Sequence, residues 1–191
     1  MRRADGRWSL SGVGAGGDGS VPAPDVKVEE TSMGTWRRFV YPSGLRFAEF
    51  RSHAEVLGYP FIHYTAGVDP TTGRRIVAKG FIAVGRRAVG FLALGQLAIG
   101  AIALGQAAAG IGVLGQAAFG VWTVGQLSIG YMFALGQLAV GQVAIGQLAL
   151  GKMVLAQLGA GQHAWTMGNS DPVAVSYFKA MLKSLIHVFG V

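Results

Sequence analysis

Four histidines are the only neutral-pH proton carriers in this 191-residue chain: His53, His63, His163 and His187. None stands at a spacing that places two ligands on one metal ion, and no pair of acids accompanies any of them. Each is expected to be structural or solvated. Two other patterns imitate chemistry. The run from Gly146 to Gly151-Lys152 has the outline of a phosphate-cradling GxxxxGK, but Met153 stands where a Ser or Thr hydroxyl should hold magnesium. Gly12, Gly14 and Gly17 match GxGxxG, with no strand before them and no helix after. Both are rejected. The chain has no Cys, which excludes a thiol nucleophile, an iron–sulfur site and a disulfide framework. The expectation is a non-enzymatic protein without cofactor, metal or small-molecule substrate.

What remains is distribution. Hydrophobic residues make up 51% of the chain, charged residues only 13%, and the net charge is +7. From Ala88 to Gly151 there is no Asp, Glu, Lys or Arg. Just before this stretch, residues 36–87 carry Arg37, Arg38, Arg46, Arg51, Arg74, Arg75, Lys79, Arg86 and Arg87 against Glu49, Glu55 and Asp69. A basic block beside a long apolar block suits a membrane with anionic headgroups. Nucleic acid is not expected, because no aromatics interleave with the basic residues as a stacking platform would need.

The apolar block is a repeat. Gly recurs at every fifth position from 80 to 130, one extra residue enters at 131–135, and Gly resumes at 136, 141, 146, 151 and 161. The unit reads Gly-x-x-small-aliphatic. Transmembrane helices would fit the apolar length. The period argues against them, because five residues turn a helix by about 500° and spread the glycines around it. A β-solenoid is the preferred reading, with Gly at corners that need φ > 0 or close backbone approach. The apolar fifth position is expected to point inward. Positions two and three, including Leu97, Trp122, Tyr131 and Met132, are expected to face outward.

The glutamines bear on coil length. Gln96, Gln106, Gln116 and Gln126 recur every ten residues, followed by Gln137, Gln142, Gln157 and Gln162. A square coil of twenty residues would stack Gln96 on Gln116, Gln106 on Gln126, Gln137 on Gln157 and Gln142 on Gln162, giving about four coils and an amide ladder. A flattened ten-residue coil or a ten-residue hairpin repeat also fits.

The unit Gly-Gln-Leu-Ala-Ile resembles the pentapeptide-repeat β-helix proteins, with Gly for their Ala and Gln for their Asp or Asn. It is similar also to the hexapeptide-repeat left-handed β-helix with one residue removed. The segments Gly58–Tyr64 and Asp69–Gly80, and the run Gly151–Gly159 with Gln162–Trp165, resemble uncharacterised bacterial proteins with Gly-rich pentad arrays. The resemblance implies a β-helical architecture. It implies no activity. An acyltransferase of the left-handed β-helix kind would need a His facing a groove between subunits.

The flanks complete four expected segments. Residues 1–35 read as a disordered Gly/Pro-rich tail without the apolar run of a signal peptide. Residues 36–79 read as a basic β cap with strands at 36–41, 45–51 and 60–64 and a turn at Asp69–Gly73. The array fills 80–165. In 166–191, Asp171 N-caps an amphipathic helix opened by Pro172, with Lys179 and Lys183 on its polar stripe. The expected function is a membrane-associated scaffold at a bacterial inner membrane or its cytoplasmic face. Its candidate surface comprises Arg74, Arg75, Lys79, Arg86, Arg87, Trp122, Tyr131, Lys179 and Lys183, with anionic lipid as the expected partner and a homo-oligomer as a second arrangement. The alternatives are a polytopic helical membrane protein and a soluble self-assembling module.

Overall fold

The computed structural model describes residues 24–190, which are mostly strand with one C-terminal helix. The fold is all-β with that helix appended. Strands β1 (Lys27–Thr31), β2 (Gly34–Val40) and β3 (Arg46–Ser52) form an antiparallel meander. After a small hairpin, β4 (Glu55–Val56) with β5 (Tyr59–Pro60), strand β6 (Ile62–Ala66) returns antiparallel to β3. The expected strands of the cap are therefore present, each shifted by a residue or two. The expected tail is shortened, because β1 lies inside it; its remainder, residues 1–23, lies outside the described residues.

At β6 the sheet changes sense. β7 (Ala78–Gly85) runs parallel to β6, pairing Ile62 with Ile82. β8 (Arg87–Trp165) runs parallel to β7, pairing Ala78 with Ala88 and Ala83 with Ala93. The result is an open, mixed six-stranded sheet in the order β1-β2-β3-β6-β7-β8. Paired residues of β7 and β8 lie ten apart, not the twenty of a square coil. The parallel sense also excludes a hairpin repeat at this step.

β8 has 79 residues and would measure about 260 Å if straight. Its glycines show that it is not. A Cβ placed on Gly100 would fall on the carbonyl oxygen of Gly90, one on Gly110 on that of Gly100, and one on Gly151 on that of Gly141. The chain thus passes over itself every ten residues. The requirement for Gly is this close approach. No array glycine has a positive φ, so the left-handed corner does not occur.

The interior also departs from expectation. The buried position is the fourth, not the fifth. Ala83, Ala93, Ala98, Ala103, Ala139, Ala144 and Ala149 are wholly buried, whereas Ile99 is 48% exposed and Leu150 46%. Packing decides this. A Cβ on Gly90 would stand 3.3 Å from the Ala83 methyl, so methyl groups already fill the space to contact and a Leu would not fit. The larger aliphatics are turned out.

The extra residue at 131–135 divides this alanine core into two clusters, Ala78–Ala118 and Ala134–Ala164. Between them the fourth position holds Thr123 and Ser128, both fully buried. Thr123 Oγ1 donates to the Phe133 carbonyl at 3.2 Å, and the two hydroxyls are 2.6 Å apart. The insertion is a bulge, and bulges strand backbone groups. A threonine hydroxyl takes up the stranded carbonyl.

Helix α1 (Pro172–Phe189) begins as expected. Asp171 accepts from the backbone N–H groups of Val173 and Ala174, Pro172 opens the first turn, and Gly190 ends it in the left-handed conformation. Ala174 and Phe178 pack on β8, while Leu182, Leu185, Ile186 and Val188 stay exposed.

Candidate functional site

The ionisable residues gather in the cap. Glu49 of β3 is 1% exposed. It accepts from Arg37 Nη1 of β2 at 2.6 Å, from Arg51 Nε at 2.8 Å and from His63 Nε2 of β6 at 3.1 Å. The other ring nitrogen of His63 accepts from the Lys79 backbone N–H of β7 at 2.9 Å. The same nitrogen lies 3.1 Å from the Lys79 carbonyl oxygen. Arg37 also reaches Asp69 at 3.6 Å, and Asp69 organises its turn by accepting from the Thr71 N–H and the Thr72 hydroxyl. One buried carboxylate therefore ties together three cap strands and the first strand of the array.

Burial opposes ionisation of Glu49. The hydrogen bond from His63 and the charge and hydrogen bonds of Arg51 and Arg37 outweigh it and hold the carboxyl at about 2, below its ordinary 4.5. The pairing resembles a catalytic carboxylate–histidine dyad, but both ring nitrogens are engaged. His63 is 3% exposed, so neither nitrogen is open to a nucleophile or substrate. The geometry makes a latch. A second, smaller contact brings His163 Nδ1 to 3.1 Å from Asp171 Oδ2, linking array to helix. The hydrogen bond from His163, reinforced by the N-cap bonds, lowers the Asp171 carboxyl below its ordinary value. Among the described residues no three His, Asp or Glu side chains are grouped to hold a metal ion.

The array presents a different kind of surface. Rows of large apolar side chains stand on its outer faces at ten-residue steps. Ile99, Phe119 and Ile129 belong to one column, while Phe91, Leu97, Ile102, Leu114, Trp122, Tyr131 and Leu148 stand in others. Phe61, just before β6, stacks face to face with Phe81 of β7, and Phe81 with Phe91 of β8, with centroids 5.5 and 4.9 Å apart. At the bulge, Trp122, Met132 and Phe133 face Tyr177, Met181 and Leu185 of α1 across an apolar cleft of about 660 Å³. At the hairpin tip Leu57 has a φ of 55° and is 93% exposed.

The predicted surface residues take these places. Arg74, Arg75, Lys79, Arg86 and Arg87 are exposed at the junction of cap and array. Trp122 and Tyr131 are exposed beside the bulge, and Lys179 and Lys183 on the helix, remote in sequence from the basic junction. Gln96, Gln106, Gln116, Gln126, Gln137 and Gln157 are all exposed. The ten-residue step puts them in one column headed by Arg86, not in the two alternating stacks of a square coil. Gln142 and Gln162 fall in the opposite half of the repeat, separated by Lys152. Sequence reasoning did not single out Glu49, Arg37, Thr123 or Ser128 as partners. The hydroxyls could have been found, since they replace Ala immediately before the extra residue. The Glu49 latch joins residues far apart in sequence and leaves no local signal. No helix of the described residues is long and apolar enough to cross a membrane, and residues 80–165, where the helical alternative would have its spans, are almost entirely strand. No protein family, curated protein or solved structure matches this chain.

Proposed function

We propose that this protein is a non-enzymatic, membrane-associated scaffold. Its array is a flattened β-solenoid with ten residues per coil and an apolar exterior. The observation that carries the reading is the inversion of size in the array. The interior is built from small residues, Ala at most fourth positions with Val113, Thr123, Ser128 and Val154 at the others, so the fold gains little from the Leu, Ile, Phe and Trp outside. Rows of exposed apolar groups on a flat wall mark a surface that is covered in use. Leu57 adds to this. A bulky residue at positive φ costs about 1 kcal/mol or more, and full exposure returns nothing in water. A lipid interface would reward it. The exposed C-terminal half of α1, with Lys179 and Lys183 beside its apolar face, suits the same interface. The arginines at the cap junction, without a carboxylate partner among the described residues, suit an anionic leaflet, such as the cytoplasmic face of a bacterial inner membrane.

Flotation with phosphatidylcholine vesicles tests the reading. The full chain should float with the vesicles. Replacing Ile99, Phe119 and Ile129 by Thr should keep the strands, because Thr favours them, and should weaken vesicle binding by about tenfold or more at ~0.8 kcal/mol per buried methylene lost. A chain that stays in the aqueous phase as a discrete oligomer would overturn membrane association and leave self-assembly through the same walls.

A further inference from the structure

The arginines ahead of the array fall into two groups. Arg37 and Arg51 are neutralised by Glu49, and Arg38 by Glu29 at 3.1 Å. Arg75 and Arg86 have no carboxylate within 4.0 Å among the described residues, and their charged neighbours in sequence, Arg74, Lys79 and Arg87, are all basic. Yet this second pair is not scattered. The Asp69–Gly73 turn delivers Arg75, and the end of β7 delivers Arg86, to one cleft of about 530 Å³. Tyr64, Thr65 and Gln96 line the same cleft with the apolar Ile76, Val84 and Leu94.

Two features specify what fits there. Guanidinium forks bind phosphate oxygens through paired N–H groups, and two forks on one cleft suit a single phosphodiester. Val84 and Leu94 begin a column that continues at the ten-residue step through Leu104 and Leu114, an apolar track leading away from the charges. A ligand that matches both parts has an anionic phosphate at one end and hydrocarbon at the other.

We infer that the cleft between Arg75 and Arg86 is a binding site for the phosphate headgroup of an anionic lipid, whose acyl chain lies along the Val84–Leu94 column. The inference rests on the membrane reading above and adds to it a defined headgroup site. The neutralised arginines hold the cap together, and the two free ones face the ligand.

The test measures partitioning of the full chain onto vesicles of phosphatidylcholine and onto an equal mixture of phosphatidylcholine and phosphatidylglycerol. Wild type should bind the mixture at least about tenfold more tightly. The double variant Arg75→Lys with Arg86→Lys keeps the charge and removes the forks. It should lose about tenfold of that preference while binding neutral vesicles as before. The control Arg74→Lys with Arg87→Lys should lose none. Melting temperatures without lipid establish that both variants are folded. A cleft variant that keeps the full preference would overturn the site, leaving diffuse attraction. Equal binding of wild type to both vesicles would overturn the site and leave the membrane reading standing. Binding to neither would end both. If inorganic phosphate alone raised the melting temperature as far as short-chain phosphatidylglycerol did, the ligand would be the free anion and the lipid assignment would be overturned.

Discussion

The cap and the array occupy one sheet and are held together by opposite means. In the cap, the interior carries Glu49 and His63 among aromatic side chains, with Trp36 packed against Phe50 and Arg38 lying 4.4 Å over the Trp36 ring. Each group has a named partner, and every buried side-chain nitrogen and oxygen among the described residues is satisfied. In the array, apart from the Thr123 and Ser128 hydroxyls, the interior is methyl groups and backbone. Specificity there comes from the exclusion of volume. The cap core should therefore be more sensitive to charge, and the array core to size.

Breaking the array by size is the largest expected effect. Gly110→Ala places a methyl on the Gly100 carbonyl, which belongs to the backbone and cannot step aside. We expect a loss above about 4 kcal/mol, read by chemical denaturation. If the loss is below 1 kcal/mol, the ten-residue stacking is wrong. Breaking the cap by charge comes next. Glu49→Ala leaves His63 and the two arginines without their common acceptor, and should cost about 3 kcal/mol.

The same contrast can be read with acid. The folded carboxyl of Glu49 titrates at about 2, against 4.5 ordinarily, so folding favours its ionised form. That stabilisation is complete above about 4.5 and disappears as pH falls towards 2. The melting temperature of wild type should fall through this window, and Glu49→Gln should flatten the Glu49 part of the fall.

Smaller effects sharpen the comparison at its edges. Thr123→Val keeps the shape of the core and strands the Phe133 carbonyl, costing about 1–2 kcal/mol. Leu57→Asn should add up to about 1 kcal/mol of stability, because Asn tolerates the left-handed turn, while weakening vesicle binding. Gln116→Lys, on the exposed column, should change stability by less than about 0.5 kcal/mol. A large loss there would show that the amides form a structural ladder.

Much of this was legible in the residues. The five-residue step announced the array, Asp171-Pro172 announced the helix, and the strands around Trp36, Phe47 and His63 were visible from their composition. Two things were not. The stacking step was ambiguous, because Gln every ten residues satisfies a step of ten as well as one of twenty; the contact of Gly110 over Gly100 is at ten. The inward face was misassigned because apolarity was read as burial. Here burial is limited by space, and Ala93 outcompetes Leu94 for the interior by being small. The site at Arg75 and Arg86 could be sensed only as excess charge, since sequence does not say which arginines Glu49 will take.

The bulge at 131–135 has one further consequence. A strand with an unabsorbed extra residue would present the wrong face for the rest of its length. Here the step becomes eleven across the insertion, as Gly136 settles over Gly125 and Gly141 over Gly130, and returns to ten with Gly146 over Gly136. The chain thus corrects its own phase. In the coil proposed for this array, whole tens can be added or removed without redrawing the rest, each ten adding one strand spacing of about 4.8 Å.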